Sequence, residues 1–160
     1  MSFKVGIGYD AHRFESGIPL WLGGVKIDFE FGLAGHSDGD VLIHAIVDSI
    51  LGAAGLGDIG KHFPPGDPKY KGISSLEFLS YTTELIGQAG WQVRNLDATI
   101  IAERPKIATL SRSMSEVISA TLKIDESLIN IKATTTDGMG FEGDGRGISA
   151  FAISMIESKL

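Results

Sequence analysis

Residues 36–55 read HSDGDVLIHAIVDSILGAAG. Val41, Leu42, Ile43, Ala45, Ile46, Val47, Ile50 and Leu51 make this stretch apolar nearly all round, which predicts a buried helix over Gly39–Ala54. Three side chains break the apolar surface. Asp40, His44 and Asp48 follow one another at i, i+4 and i+8 and so share one helical face. Unpaired polar groups on a face hidden from solvent are costly, so this stripe requires partners. Ser37 or Asp38 fits the N-cap of the helix, and His36 is left free to meet a ligand.

A partner set lies upstream. Phe3–Arg13 reads as a first strand, and Asp10-Ala11-His12 near its end places two ligand-type side chains at i and i+2, on one face. A D-x-H pair alone is common in loops, and a single buried histidine is commonly hydrogen-bonded to backbone. Asp10, His12 and His44 taken with the carboxylate stripe point instead to a metal site. Nitrogen and oxygen donors suit a first-row metal ion, and three protein ligands leave one position open for substrate, the catalytic pattern. The chain has no cysteine, so thiolate ligation and disulfides are both excluded.

Further elements follow from local signals. Ile18–Phe29 reads as a hairpin turned at Gly23-Gly24. The segment GLGDIGKHFPPGDPKYKG, residues 55–72, lacks any period and predicts a functional loop, with His62 solvated in it. Ser74 to Glu77 form a capping box opening a helix to about Ala89, closed by Gly90. Trp91–Glu103 alternates as a strand, and Pro105 opens a further helix to about Leu122. Ile129–Thr136 reads as a strand, TDGMGFEGDGRG as a glycine-rich turn, and Ile148–Ile156 as a closing strand. Clusters among the 21 glycines, Gly52 to Gly60 among them, mark tight loops.

At 160 residues and 43% hydrophobic the chain supports one well-filled core, so residues 1–160 are expected to form a single catalytic domain. Strands alternating with helices predict an α+β fold: a mixed β-sheet with helices on one face. Phe151, Ile153 and Met155 alternate on the last strand, which favours burial of the other face against a second copy. No leader-type segment or membrane-length apolar run is evident, so a cytoplasmic protein is expected. The net charge of −6 argues against nucleic acid as partner. Phosphate binding would have to be local, through metal, helix N-termini and bases such as Lys61, Arg104, Lys106 or Arg146.

Two more stretches carry candidate chemistry. Ala133-Thr134-Thr135-Thr136-Asp137 places hydroxyls, backbone N–H groups and a carboxylate at a strand end, where phosphate oxygens and a divalent cation would be held. Arg104-Pro105-Lys106 at an expected helix start offers N–H groups and charge to an anion. The residues by themselves leave open a phosphoryl-transfer enzyme, a metal-dependent phosphohydrolase using Asp48 or Asp58 as base, and a non-catalytic nucleotide-binding module.

In order along the chain, GYDAHRF, GHSDGDVLIHAIVDSILGAAGLGDIGKHFP, DPKYKG, ERPKI and KATTTDGMGF together resemble the 2-C-methyl-D-erythritol 2,4-cyclodiphosphate synthase family, over nearly the whole sequence. The resemblance implies conversion of 4-diphosphocytidyl-2-C-methyl-D-erythritol 2-phosphate to the cyclic diphosphate with release of CMP, in non-mevalonate isoprenoid precursor synthesis. It implies a zinc-type ion on Asp10, His12 and His44, and His36 and Thr135 as catalytic residues stabilising the transition state. Asp58, Ile59 and Gly60 are implied to contact the erythritol phosphate, and Phe63, Pro64, Pro65, Gly66 and Asp67 to form a lid. Ala102, Glu103, Arg104, Pro105, Lys106, Ile107 and Ala108, with Ala133 and Thr134, are implied to hold cytidine. Ser37, Thr136 and Phe141 complete the implied contacts. Asp137 would take a second ion, magnesium or manganese, where the family usually has Glu. The family also implies a homotrimer with active sites between neighbouring subunits.

Overall fold

A computed structural model describes residues 1–159. Its frame is a five-stranded mixed sheet in the order β4-β1-β7-β5-β6. Strand β1 spans Phe3–Ser16, β4 Phe31–Leu33, β5 Trp91–Ile101, β6 Ile129–Thr134 and β7 Gly147–Ser158. Among the described residues only β5 and β6 run parallel. Strands β2 (Leu20–Leu22) and β3 (Val25–Ile27) form the expected hairpin apart from the sheet. Its two-residue turn puts Gly23 at φ 58° and Gly24 at φ 74°, left-handed positions that glycine adopts without a Cβ penalty.

The helices α1 (Val41–Ala54), α3 (Ser75–Gln88) and α4 (Ser111–Leu122) belong to one side, with α1 packed on β1 and β7. Alternation along β1 explains how close α1 comes. Phe3, Val5, Ile7 and Tyr9 point away and are exposed, while Gly6, Gly8, Asp10 and His12 form the other set. A Cβ on Gly8 would stand 1.9 Å from the Ala45 carbonyl oxygen, and one on Gly6 2.1 Å from that of Ser49. Two glycines thus bring the helix backbone onto the strand just before the strand supplies its two ligand-type residues. The core is continuous, from Leu20 and Leu22 through Ile43, Ile46 and Ile50 to Ile100, Ile118 and Ile156.

The far face of the sheet is apolar and open. Ile7 opposes Ile153 and Tyr9 opposes Phe151 in antiparallel register, with the two rings 4.7 Å apart. Ile7 is 67% exposed and Ile153 47%, a contiguous patch of the kind that marks an interface. Among the described residues no helix is long and apolar enough to cross a membrane.

Several expected boundaries change. Pro105 does not start a helix: the chain stays irregular around it, turns through a 3-10 segment at Ala108–Leu110, and α4 begins at Ser111. Burial of Ile107 under the domain holds this segment as a loop against Ala133–Thr135, so the anion site expected at a helix start is not formed. The aperiodic segment after α1 carries a short helix, α2 (Ile59–His62), and a 3-10 turn at Pro68–Tyr70. Gly52 lies inside α1, not in a loop. The last helix, α5 (Gly140–Gly143), folds part of the expected glycine-rich turn, and β6 stops at Thr134, leaving Thr135 and Thr136 beyond it.

Candidate metal centre and substrate cleft

The polar stripe of α1 divides by role. Asp40, fully buried, is the N-cap, so neither Ser37 nor Asp38 caps the helix as expected. Its carboxylate accepts from the N–H groups of Ile43 at 3.1 Å, Gly23 at 2.9 Å and Gly24 at 2.7 Å. It therefore ties the hairpin turn to the helix start, a structural duty set by partners 16 and 17 residues away. Asp48 accepts from the Ile59 N–H at 2.7 Å and anchors α2. Burial and the neighbouring charges of Asp58 and Asp10 raise its carboxyl. Only His44 turns to the strand.

There it meets Asp10 and His12. His12 Nε2 lies 2.7 Å from Asp10 Oδ2, His44 Nδ1 lies 3.0 Å from the same oxygen, and the two nitrogens are 3.3 Å apart. An ion with tetrahedral bonds of about 2.0–2.1 Å would space its ligand atoms about 3.3 Å apart, so this donor set fits a zinc-type ion with a fourth position facing the cleft. His12 Nδ1 donates to the Ala34 carbonyl, leaving Nε2 as the lone-pair atom. Burial would raise the Asp10 carboxyl, but hydrogen bonds and charge from His12 and His44 outweigh it and hold the group well below the usual carboxylate range. Burial lowers the His12 imidazolium, and Asp10 more than restores it, giving a net rise. A divalent ion competes with that proton.

The three residues open on a cleft of about 240 Å³, also lined by His36, Ser37, Asp48, Ile59, Gly60, Phe63, Pro64, Pro65, Tyr70 and Phe78. Asp10, His12, His36, Ser37, His44 and most of the expected contacts in Ile59–Pro65 thus come together. Tyr70 and Phe78 were not anticipated. Phe78 lies on the periodic apolar face of α3 and stacks on Phe63 with centroids 4.3 Å apart, so helix periodicity alone would have placed it in the core. His36 is not free: its Nε2 lies 2.7 Å from the Asp67 carbonyl, which joins it to the expected lid. Asp58 caps α2 through the Lys61 N–H at 3.0 Å, and Gly66 sits in the adjoining turn at φ 87°. His62 is partnered rather than solvated, its Nε2 2.9 Å from the Leu56 carbonyl.

Ala102, Glu103, Pro105, Lys106, Ile107 and Ala108 line a second cleft of about 170 Å³ with Ala133, Thr134 and Thr135. It shares no residue with the first. Arg104 pairs with Glu30 at 3.0 Å and Arg146 with Asp144 at 3.3 Å. Thr136 donates to the Met139 carbonyl, Asp137 is exposed at φ 52°, and Phe141 is half-buried in α5.

A one-sided α+β sheet with a three-ligand nitrogen and oxygen centre beside an open cleft defines a catalytic type of metal site rather than a structural one. The particular lineage is also settled. The sequence matches the profile of the YgbB family over residues 3–157, and the chain belongs to that family. A Clostridium perfringens protein named 2-C-methyl-D-erythritol 2,4-cyclodiphosphate synthase is 54% identical over 153 residues, 96% of this chain and 98% of that one. A protein of the same name from Desulforamulus reducens is 52% identical over 154 residues, 96% of this chain and 98% of its own. Among solved structures, the bifunctional IspDF of Campylobacter jejuni superposes with TM-score 0.95 and 40% identity, covering 98% of this chain, which spans 42% of the bifunctional one. IspF of Plasmodium falciparum, in a CDP complex, gives TM-score 0.87 at 38% identity over 99% of this chain and 98% of its own.

Proposed function

We infer that the chain is a lyase that converts 4-diphosphocytidyl-2-C-methyl-D-erythritol 2-phosphate to 2-C-methyl-D-erythritol 2,4-cyclodiphosphate and CMP, in isoprenoid precursor synthesis. The observation that carries this is the Asp10, His12 and His44 centre opening on the first cleft, in a chain sharing more than half its residues with synthases of that name. The substrate's own 2-phosphate attacks the β-phosphorus; one P–O bond forms as the bond to the CMP oxygen breaks. No protein nucleophile is needed, so the work falls on folding the substrate and neutralising crowded oxygens.

A zinc-type ion on Asp10, His12 and His44 would supply Lewis acidity to a β-phosphate oxygen, and magnesium or manganese on Asp137 would screen the diphosphate. His36 and Thr135 stabilise the charge that develops in transfer. Ser37, Asp58, Ile59 and Gly60 meet the erythritol phosphate, and Phe63, Pro64, Pro65, Gly66 and Asp67 cover it, with His36 holding Asp67. The second cleft, Ala102 to Ala108 with Ala133 and Thr134, takes cytidine, in keeping with the CDP complex of the Plasmodium relative. Thr136 and Phe141 complete that side.

Residues 1–160 act as one catalytic domain, and three copies associate through the open sheet face, bringing the first cleft of one subunit to the second of its neighbour. The apolar patch on β1 and β7 and the separation of the two clefts within one chain support this arrangement. Substrate and product are multiply charged and are handled in the cytoplasm. Incubation with the diphosphocytidyl substrate and phosphorus NMR of the product tests the reading. Cyclic diphosphate with CMP is expected; a linear hydrolysis product would make the protein a phosphohydrolase.

A further inference from the structure

His44 presents Nδ1 to Asp10 and His12, and the nearest partner of its other ring nitrogen is a group to which the proposed reaction gives no role. Ser75 Oγ lies 2.9 Å from His44 Nε2. Ser75 is the first residue of α3 and fully buried. Asp38 grips it twice: one carboxylate oxygen accepts from the Ser75 hydroxyl, the other from the Ser75 N–H at 2.9 Å. The first of these oxygens also accepts from the Asp40 N–H at 3.1 Å, so Asp38 faces donors only.

A serine hydroxyl has one proton to give. Committed to Asp38, the Ser75 oxygen can meet His44 only as an acceptor, which puts the imidazole N–H on Nε2 and leaves the lone pair on Nδ1. That is the tautomer a metal ligand at this position needs, and it matches the arrangement at His12, where the Ala34 carbonyl takes the other N–H. Ser37 Oγ, 3.1 Å from the same nitrogen, is a longer second contact.

We propose that Ser75 and Asp38 are positioning residues for the metal centre, a serine-carboxylate relay that fixes the tautomer and ring orientation of His44. The relay rests on the reading that Asp10, His12 and His44 hold a zinc-type ion. It also ties the centre to the N-terminus of α3, the element that follows the expected lid, so the ligand and the covering segment share one anchor.

Zinc affinity of the metal-free, assembled protein, measured by competition with a chromophoric chelator, tests this without any turnover. Ser75→Ala and Asp38→Asn are expected to bind zinc about 10- to 100-fold more weakly, the range typical of lost partners to a metal-ligating histidine. An Asn at 38, whichever way its amide turns, sets an NH2 against a backbone N–H that the carboxylate now accepts. Ser74→Ala removes only the cap of α3, whose hydroxyl accepts from the Leu76 N–H at 3.3 Å. It should lower the melting temperature of the metal-free protein and leave zinc affinity unchanged. Zinc held within twofold of the parent in both Ser75→Ala and Asp38→Asn overturns the relay alone, as does an equal loss in Ser74→Ala. A parent protein that takes up no zinc overturns the metal reading and the relay with it.

Discussion

The two clefts of this chain are built to different degrees. Around the metal centre every ligand has a second partner: His12 the Ala34 carbonyl, His44 the Ser75 hydroxyl, Asp10 the Ala11 N–H at 2.9 Å. Around the second cleft Ala133, Thr134 and Thr135 are exposed, the threonines bond only to neighbouring backbone, and Lys132, which precedes them, is held by a surface ion pair. One region is finished by its own fold. The other has the open surface of a half-site, which accords with the proposed trimer and predicts that the two respond differently to mutation.

The largest effect is expected in the finished region. His44→Ala leaves two protein ligands, and turnover should fall by about 10³-fold, the upper end of what losing one electrostatic stabiliser costs. Metal content measured beside kinetics decides it; full zinc occupancy in the variant would remove His44 from the ligand set.

Next comes assembly. Ile153→Asp places a charge at the centre of the open sheet face, and sedimentation should show monomer with turnover reduced by about 10²-fold or more, since transition-state contacts from the second cleft would be lost. The metal centre lies within one chain, so the same monomer should still bind zinc. A monomer with full turnover would show that the clefts need not be shared, and a monomer without zinc would show that the first region is not self-sufficient.

What the sequence made legible divides along related lines. Local patterns were readable: the i, i+2 pair on β1, the apolar helix around His44, the two-glycine turn, and the one-sided alternation of β7. Features set by distant partners were not. Gly6 and Gly8 look like ordinary strand glycines until the Ala45 and Ser49 carbonyls are laid against them. Asp40 reads only as a buried polar group in need of partners until Gly23 and Gly24 claim its oxygens, and Ser75 lies 31 residues from the imidazole it holds. Pro105 misled because the rule placing proline at a helix start is local, whereas burial of Ile107 decides that segment.

A smaller effect is expected at Asp137. On the proposed reading its carboxylate would supply the hard oxygen that magnesium or manganese takes, one methylene shorter than a Glu at this position would be. Asp137→Glu should lower the magnesium concentration for half-maximal turnover a few-fold, about 1 kcal/mol or less, while Asp137→Ala should abolish the metal response. Unchanged magnesium dependence in the alanine variant would leave the second ion to substrate phosphates and water.

The smallest effect lies where β5 meets β6 beneath the second cleft. Lys132 Nζ lies 2.6 Å from Asp97 Oδ1, and the Asn130 amide donates to the same oxygen at 2.9 Å. The Lys132 hydrogen bond is the main cause holding the Asp97 carboxyl below its ordinary value of 3.8. Because the folded value lies below the unfolded one, the pair adds stability above the unfolded value and loses it as pH falls through the folded one. Both side chains are more than 40% exposed, so solvent and salt screen the pair and Asp97→Asn should cost no more than about 0.5 kcal/mol at pH 7. Urea unfolding of parent and variant should differ at pH 7, converge as the solution is acidified below pH 3.8, and differ less in high salt. A loss several times larger, insensitive to salt, would show that this strand pair is braced as firmly as the metal centre, and the contrast between the two regions would fail at its base.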